Sequence, residues 1–364
     1  MISISDLVKG AKKFGKDNFV ADITQEEEYI NLKGKFDEYY KSTLEPVLVE
    51  NEKVRKKYFK MFISLLLISL VACPLVISLS IENIANLVSN TGAPQNSKND
   101  ASLIVIAIFI AIVSGPILMY KKAVKETIMG KFANFFGTFE YQYGKYIDDY
   151  ALQSSGLFKN FDIHSGDDYF SGIYNDVGIT ISEEELSKRK EKVNRKPSAF
   201  APLNNGAPTF IDHASGIHVF KGICIRLEMN KNFSGHTIAV PDGGIFNFFS
   251  SKNGKSNVKL EDSVFEKIFE VYSSDQVEAR YLLTTAFMYR MIKLRELFNC
   301  KKGMAFSFRD NHLLIVIPTT QNLFEANSFF SNTVNKERID LVFQQFYTVF
   351  SIVNILKLNM RIGM

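Results

Sequence analysis

The chain has 364 residues, a net charge of +4 and 23% charged residues, which is sufficient for one good-sized soluble domain beside membrane-spanning segments. The small basic excess lies next to apolar segments, which favours contact with anionic lipid and argues against nucleic-acid binding. The three cysteines are isolated, which argues against a disulfide framework and indicates a reducing compartment, although counting leaves a Cys224–Cys300 bridge open.

Residues 1–60 predict a polar, mostly helical cytoplasmic arm. Apolar residues recur at roughly helical spacing from Ile30 to Leu48, and Pro46 should bend or end this helix. Asp22 and the acidic residues 26–28 lie near a plausible helix start. The arm is interpreted as a solvated helix face beside a weak core stripe, or alternatively as a docking arm for another protein.

Two uncharged stretches, residues 61–81 and 101–120, dominate the N-terminal third of the chain. At about 1.5 Å per residue, each would form a helix roughly 30 Å long, the thickness of the hydrocarbon core of a bilayer. They therefore predict a transmembrane hairpin over residues 61–120. Neither stretch contains an ionisable residue other than Cys73 and Tyr120, which argues for an anchor and against a transporter.

Basic residues flank the two predicted spans on the same side. The loop between the spans contains one basic residue, Lys98, against two acidic ones. Because cytoplasmic flanks carry the excess of lysine and arginine, we expect a multi-pass protein of the cell (inner) membrane with both termini in the cytoplasm. The residues predicted to contact lipid headgroups are Lys53, Arg55, Lys56, Lys57, Lys60, Lys121, Lys122 and Lys125.

Residues 121–150 predict an amphipathic juxtamembrane helix, because aromatic and aliphatic residues from Val124 to Tyr146 fall at spacings of one, three or four. Three placements remain open for it: a stalk with the N-terminal arm, the lipid surface, or the core of the soluble domain.

Residues 151–364 predict a cytoplasmic α+β domain with a mainly antiparallel sheet. Alternation indicates strands at 177–181 and 223–229, with 236–240 as the partner of the latter. A helical block is expected over 261–300, then a hairpin that turns at Asp310–Asn311, and a final helix near 335–358. Strands with helices inserted and appended are typical of an α+β fold.

The sequence contains no common catalytic motif, and no cofactor or metal is predicted. His213 and His218 are five residues apart, which places them on opposite faces of a strand and makes loop histidines the preferred interpretation over a zinc site. His236 and His312 are interpreted as polar residues at strand edges.

The stretch from Lys259 to Met291, KLEDSVFEKIFEVYSSDQVEARYLLTTAFMYRM, resembles a family of uncharacterised bacterial membrane proteins catalogued as domain of unknown function 3137. The later SFRDNHLLIVIP fits the same family, and so do the paired spans ahead of the domain. The resemblance implies an architecture and a membrane location, and it implies no activity.

Within this stretch, five residues are candidates for a structural cluster or for a groove that binds a partner. Asp275 and Glu278 are spaced as a capping box at a helix start. Arg280 should then have a carboxylate partner, and Tyr281 should pack against the preceding aromatic residues. The candidates are Asp262, Asp275, Glu278, Arg280 and Tyr281.

These observations predict a membrane-anchored, non-enzymatic protein whose cytoplasmic domain binds a protein partner or a second copy of itself. The alternative is a ligand- or lipid-sensing module at the membrane face, and a third possibility is an unrecognised membrane-bound hydrolase. The predicted partners are the lipid bilayer and a protein, with no nucleic acid.

Overall fold

The computed structural model describes residues 27–91, 97–189, 216–242, 254–298, 300 and 303–358, without the side chains of residues 80–91 and 97–103. The helices are α1 (Glu27–Tyr39), α2 (Glu45–Thr91), α3 (Ser97–Ala133), α4 (Asp149–Ser154), α5 (Ser263–Glu266), α6 (Gln276–Leu282), α7 (Thr285–Leu297) and α8 (Lys336–Leu356). The strands are β1 (Thr138–Tyr143), β2 (Ile163–Tyr174), β3 (Val177–Lys188), β4 (Ile217–Pro241), β5 (Ser256–Asn257), β6 (Phe269–Ser273) and β7 (Ala305–Pro318).

The chain divides into two compact units. The helix-pair unit comprises Phe36–Lys131 and Glu325–Ile339, and the sheet unit comprises the chain up to Lys35, Phe132–Phe324 and the chain from Asp340. The predicted domain over residues 151–364 therefore differs from the sheet unit, which adds β1 and part of α1 and lacks residues 325–339.

In the helix-pair unit, residues 325–339 pack on α2 and α3 through polar contacts. Arg55 donates to Glu52 at 2.7 Å and to the carbonyl oxygen of Phe329 at 3.1 Å. Glu52 also accepts from the backbone N–H of Thr333 at 2.9 Å. The hydrogen bond from Arg55 is the main reason that the pKa of Glu52 falls to about 2.

A short π-helical segment, Tyr40–Leu44, joins α1 to α2, and the Glu45 N–H donates to the carbonyl oxygen of Tyr40. It ends at Leu44, two residues before Pro46, the residue predicted to bend or end the helix. The helix continues because the wider turn accommodates the proline ring, which would clash with an α-helical carbonyl four residues earlier.

The sheet unit contains one antiparallel sheet of seven strands in the order β1-β2-β3-β4-β6-β5, with β7 paired to β4. β2 and β3 form a hairpin that turns at Asn175 and Asp176, whose φ angles of 47° and 62° are those of a type I′ turn. The predicted mixed fold with an antiparallel sheet is confirmed.

Both faces of the sheet are covered by hydrophobic packing. On one face, Phe170, Ile181, Ile225 and Ile315 lie opposite one another on four strands and are fully buried, and the Phe170 ring contacts that of Phe346 on α8 at 5.0 Å. The other face packs against α4 and the segment that follows it. Each strand thus alternates between an α8 side and an α4 side.

The two hairpins predicted for these regions, one within residues 223–240 and one turning at Asp310–Asn311, are not formed. Each region is instead one long strand with a local irregularity. β4 runs unbroken for 25 residues and β7 for 14. Their register shifts on both sides of the Phe233–Asp310 pair, and Asp310 has a φ of 55°. Because the irregular residues lie opposite each other, both strands bend together and their pairing resumes.

Two predicted helical regions contain strands. The predicted helix over 121–150 ends at Ala133 and is followed by β1, and the predicted helical block over 261–300 contains β6. In β1, alternating aromatic residues fit a pleated surface, and pairing with β2 satisfies the backbone. In β6, pairing with the second half of β4 does the same.

Within the described residues, three helical stretches are long and apolar enough to cross a membrane: Glu27–Leu79, Ile104–Ala133 and Lys336–Leu356. Both predicted spans are therefore helical. The most apolar window of the first stretch is 0% buried within the protein, that of the second 11%, and that of the third 67%.

Candidate functional site

A polar cleft of about 160 Å³ opens in the sheet unit where β2 and β3 pair irregularly. The register of this pair shifts between Gly166 and Tyr169, so Asp167 and Asp168 lie in a bulge. Bulges commonly redirect side chains near functional sites. The cleft is lined by Ser165, Gly166, Asp167, Glu183, Glu184, Glu185, Lys221, Gly222, Gln321 and Asn322.

Three carboxylates converge at this cleft. Asp167, Asp168 and Glu183 each place an oxygen within 4.8 Å of the others, and Asp168 is fully buried. Asp168 accepts from the Tyr141 hydroxyl at 2.6 Å, and Glu183 accepts from the Leu323 N–H at 2.6 Å. These bonds fix the carboxylates in place and concentrate negative charge at the cleft.

Two glycines allow the chain to pass closely behind the cleft. A Cβ on Gly222 would lie 2.2 Å from the carbonyl oxygen of Ile317, and one on Gly166 would lie 2.6 Å from that of Lys145. Any other residue would force the backbone apart at these two positions.

The chemistry of the cleft fits a positively charged group. Carboxylate oxygens bind ammonium and guanidinium groups, and they are also the ligands that hard divalent cations prefer. At the rim, Lys221 pairs with Glu185 at 3.2 Å, and both side chains are more than one-third exposed. The pair is therefore weak enough to be displaced by another cation.

A second polar network lies on the α4 side of the sheet. His164 Nδ1 contacts Asp149 at 2.5 Å and His164 Nε2 contacts Glu184 at 2.6 Å, while Glu184 also accepts from the Ile147 N–H. Burial opposes protonation of His164, but these hydrogen bonds outweigh it and raise its pKa. Since both ring nitrogens are occupied, the network joins α4 to β2 and β3 and does not present a catalytic base.

His236 is enclosed by different groups. Its Nε2 contacts the carbonyl oxygen of Ser155 at 2.9 Å and the Ser307 hydroxyl at 3.1 Å. Burial, together with the positive charge of Lys255, lowers the pKa of His236 to about 4. The interpretation of His236 as a polar edge residue is therefore wrong: it lies within β4 and fastens the loop after α4.

The predicted carboxylates Asp262, Asp275 and Glu278 serve local structure. Asp262 caps α5 through the N–H groups of the second and third residues after it, and Asp275 caps α6 in the same way. Glu278 does not close the predicted capping box. It accepts from the N–H groups of Ser234 at 2.9 Å and Gly235 at 2.6 Å, which ties α6 to β4.

Arg280 and Tyr281 are exposed on α6. Arg280 donates to the carbonyl oxygen of Gln276 at 3.2 Å, and the described ion pairs include none for it, so the expected carboxylate partner is not present there. Tyr281 and Val277 are each 67% exposed instead of packed. Their position one turn apart on a short helix is the reason: only Ala279 and Leu282 of α6 face the core.

The predicted basic flanks divide into exposed and internal residues. Lys125 is 2% exposed, and its Nζ lies 2.9 Å from Glu325; Lys121 lies 3.7 Å from the same carboxylate. Arg55 is committed to Glu52 and Phe329, so Arg55 and Lys125 are internal instead of lipid-facing. The exposed members are Lys53, Lys56, Lys57, Lys60 and Lys122.

The remaining chemical predictions have mixed outcomes. Cys73, Cys224 and Cys300 are all free thiols, so the Cys224–Cys300 bridge is not formed. His218 is exposed, and His213 lies outside the described residues.

Sequence reasoning missed the cleft, although its acidic residues were visible as adjacent pairs. Residues 167–168 are Asp-Asp, and residues 183–185 are three glutamates. The missing information was the register of β2 on β3, which brings Asp167 and Glu183 together.

A family model matches the C-terminal part of the chain. The model of a family described as "Protein of unknown function (DUF3137)" matches residues 218–358. Curated proteins give no match. Similar solved structures include that of the mycobacterial trehalose monomycolate transport factor A, TtfA, at 12% identity and a TM-score of 0.29, over 62% of this chain and 92% of TtfA. The resemblance predicted from Lys259 to Met291 is confirmed, because residues 218–358 match the DUF3137 family.

Proposed function

We propose that this protein is a membrane-anchored binding module. The observation that carries the proposal is the uncovered apolar surface of α2 and α3, whose most apolar windows are 0% and 11% buried within the protein. Side chains such as Leu70 and Ile110 are more than 60% exposed. Apolar surface of this extent requires a membrane or a partner to cover it.

In this function α2 and α3 form a transmembrane hairpin with both termini in the cytoplasm. The exposed lysines of the two flanks support this orientation: Lys53, Lys56, Lys57 and Lys60 precede the first span, and Lys122 follows the second.

Two measurements on cells test the anchor. The full chain should remain in membranes washed with alkaline carbonate. A reporter that works only in the cytoplasm should be active when it is fused after Met364, and a reporter that works only outside the cell should be inactive there. A chain released by carbonate, or a reporter active only outside the cell, would contradict the anchor or its orientation respectively.

The sheet unit binds a protein partner by receiving a lysine or arginine side chain in the acidic cleft. The converging carboxylates of Asp167 and Glu183, backed by the buried Asp168, support this occupant, since charge-assisted hydrogen bonds to carboxylates are the strong ones. The bulge in β2 and the two closely packed glycines hold the cleft in this geometry in the absence of a partner.

Crosslinking of the full chain in intact cells tests the cleft. Asp167→Asn combined with Glu183→Gln removes both charges while the glutamine oxygen still accepts from Leu323. We expect this variant to lose a crosslinked partner that the wild type captures. The matched control is Asp310→Asn, because the Asp310 side chain is 79% exposed and lies outside the cleft.

Equal crosslinking by the double variant, the control and the wild type would contradict this use of the cleft. Calorimetric binding of Ca²⁺ or Mg²⁺ that only the double variant loses would reassign the cleft to a metal cation. A crosslinked product with twice the mass of the chain would identify the partner as a second copy.

The alternative function is a lipid-sensing module at the membrane face. It is favoured by a groove between α2 and α3, which is distinct from the acidic cleft.

A further inference from the structure

The loop between β1 and α4, residues 144–148, passes directly behind the bulge of the acidic cleft, and we call it the support loop. The Gly144 N–H donates to the carbonyl oxygen of Asp167 at 2.8 Å. A Cβ added to Gly166 would lie 2.6 Å from the carbonyl oxygen of Lys145. The support loop is therefore in close contact with the backbone that carries Asp167, and a displacement of the loop would move that carboxylate.

Two contacts on the α4 side of the sheet fasten the support loop to the strands. The Ile147 N–H donates to Glu184 on β3 at 2.8 Å. Asp149, the first residue of α4, lies 2.5 Å from His164 Nδ1, and His164 Nε2 lies 2.6 Å from Glu184. The side chains of His164 and Glu184 are 4% and 0% exposed. His164 thus joins the end of the support loop to the strand that carries the glutamates of the cleft.

Both contacts of His164 depend on one proton. An imidazolium carries an N–H on each ring nitrogen, whereas the neutral ring has one N–H and one lone pair. Burial opposes protonation of His164, but the hydrogen bonds to Glu184 and Asp149 outweigh it and raise its pKa. Burial also raises the pKa of Glu184. The proton therefore stays within the pair of His164 and Glu184, and once it is lost, one carboxylate faces a lone pair.

The groups around His164 leave this proton to the two carboxylates. The ring of Tyr146, in the support loop, lies 3.9 Å from the imidazole, and the Phe161 ring lies 5.6 Å from it. Burial, and then the charge of Glu184, raises the pKa of the Cys224 thiol, which stays neutral. Among the described residues, the charges that act on His164 are those of Glu184 and Asp149.

We propose that the proton held between His164 and Glu184 regulates the acidic cleft. With the proton in place, the support loop is held against the bulge and the cleft binds a cationic side chain; when the proton is lost, the loop is released and binding weakens. The inference rests on the proposed use of the cleft. His164 has a positioning role, because it does not line the cleft itself.

The direction of the pH dependence separates this role from a direct effect of charge. Loss of a positive charge near the cleft would strengthen the binding of a cation, and so would the ionisation of Asp167 and Glu183 as the pH rises. Release of the support loop has the opposite effect. Since the pKa of His164 is raised, the cleft should be fully competent at pH 6.5 and lose affinity as the pH rises through the folded value.

The binding test uses the full chain in a non-ionic detergent, with a tetralysine peptide blocked at both ends as the probe. Its lysines stay charged through pH 9. Calorimetry should show an affinity that falls by about tenfold between pH 6 and pH 9. His164→Gln should bind weakly over the whole range. The matched control is His218→Gln, because His218 is exposed and lies outside the network.

A second variant keeps the network folded and moves its titration. Asp149→Asn removes a charge while the amide oxygen still accepts from the ring N–H, and Asp149 is 56% exposed, so the fold should tolerate the change. Because the pair of His164 and Glu184 then holds its proton less tightly, the fall in affinity should occur at a lower pH than in the wild type.

Hydrogen exchange measures the support loop without a ligand. After correction for the intrinsic pH dependence of exchange, the amides of residues 144–149 should be protected at pH 6 and less protected at pH 9. The same amides in His164→Gln should have the low protection at both values, and His218→Gln should match the wild type.

Wild-type affinity that is constant or rises from pH 6 to pH 9 would overturn the proposal, as would loop protection that does not change with pH. A fall in affinity at the same pH in Asp149→Asn and in the wild type would also overturn it. If the peptide binds equally to the wild type and to the variant with Asp167→Asn and Glu183→Gln, the proposed use of the cleft fails. If that variant loses the peptide but the pH dependence is absent, only this inference fails.

Discussion

Helices α3 and α8 are both apolar but have opposite surroundings. Both are long and apolar enough to cross a membrane, yet the most apolar window of α3 is 11% buried within the protein and that of α8 is 67% buried. α8 packs its phenylalanines on the sheet, with the Phe346 ring 5.0 Å from that of Phe170 and the Phe350 ring 5.0 Å from that of Phe139. Apolar content alone therefore does not decide whether such a helix is buried in the core. What decides it is whether the rest of the chain supplies a surface that covers the helix.

The largest expected difference between α3 and α8 comes from replacing one isoleucine by alanine in each helix. Ile352 on α8 is 0% exposed, whereas Ile110 on α3 is 63% exposed. Ile352→Ala should lower the free energy of unfolding by about 2–5 kcal/mol, because it leaves a cavity in the core. Ile110→Ala should change it by less than about 0.5 kcal/mol.

Urea unfolding of the full chain in detergent, followed by tyrosine fluorescence, measures both variants. Similar losses for the two substitutions would mean that the Ile110 side of α3 is covered by protein, and the contrast between α3 and α8 would be lost.

The same contrast applies to two lysines after the second span. Lys125 is buried against Glu325, so Lys125→Met should destabilise the helix-pair unit by roughly 1–3 kcal/mol, an amount reduced from a fully buried pair because Glu325 is 29% exposed. Lys122 is exposed, and Lys122→Met should have an effect below about 0.5 kcal/mol.

Thermal melting in detergent separates these lysine variants. In vesicles that contain anionic lipid, the difference in melting temperature between the two variants should become smaller, since Lys122→Met also loses about 1 kcal/mol of attraction to the membrane surface. A Lys122 variant that melts as early as the Lys125 variant would show that both lysines are internal.

Two candidate residues on α6 sharpen the comparison on a smaller scale. Asp275→Ala should cost about 0.5–2 kcal/mol, because the N–H groups of Val277 and Glu278 lose their acceptor. Arg280→Ala should cost less than about 0.5 kcal/mol, because the side chain is exposed. If chemical unfolding shows a larger loss of stability for Arg280→Ala than for Asp275→Ala, Arg280 has a structural role after all.

The smallest expected effect is the pH dependence that comes from histidines, which should arise in the sheet unit because that unit contains all five of them. His236 has a folded pKa of about 4 against an ordinary 6.5, so between these values the unfolded state binds more protons. Its contribution to stability is therefore present above pH 6.5 and is lost as the pH falls toward 4.

His164 has the opposite sign, since its pKa is raised: its contribution is complete below pH 6.5 and is lost as the pH rises through the folded value. Melting temperatures of His236→Gln and His164→Gln across pH 4–9 test both signs. The difference from wild type should grow with pH below 6.5 for His236→Gln and shrink with pH above 6.5 for His164→Gln. If the difference in melting temperature between each variant and the wild type does not change with pH, the pKa shifts of His236 and His164 are contradicted.

The sequence by itself determined the features that depend on neighbouring residues. The helical character of both apolar stretches, the cap at Asp275, the final helix and the alternation in β3 all follow from local spacing and side-chain chemistry. The resemblance to the family of unknown function likewise rests on a continuous motif.

Tertiary structure decided the features that depend on distant partners. Local alternation could not show that β6 would find a partner in β4, that the turn signals at Asn230–Gly235 and Asp310 would meet as facing irregularities, or that Glu325 would bury Lys125. The acidic cleft belongs to the same class, because a shift of one residue in the pairing of β2 and β3 would separate Asp167 from Glu183.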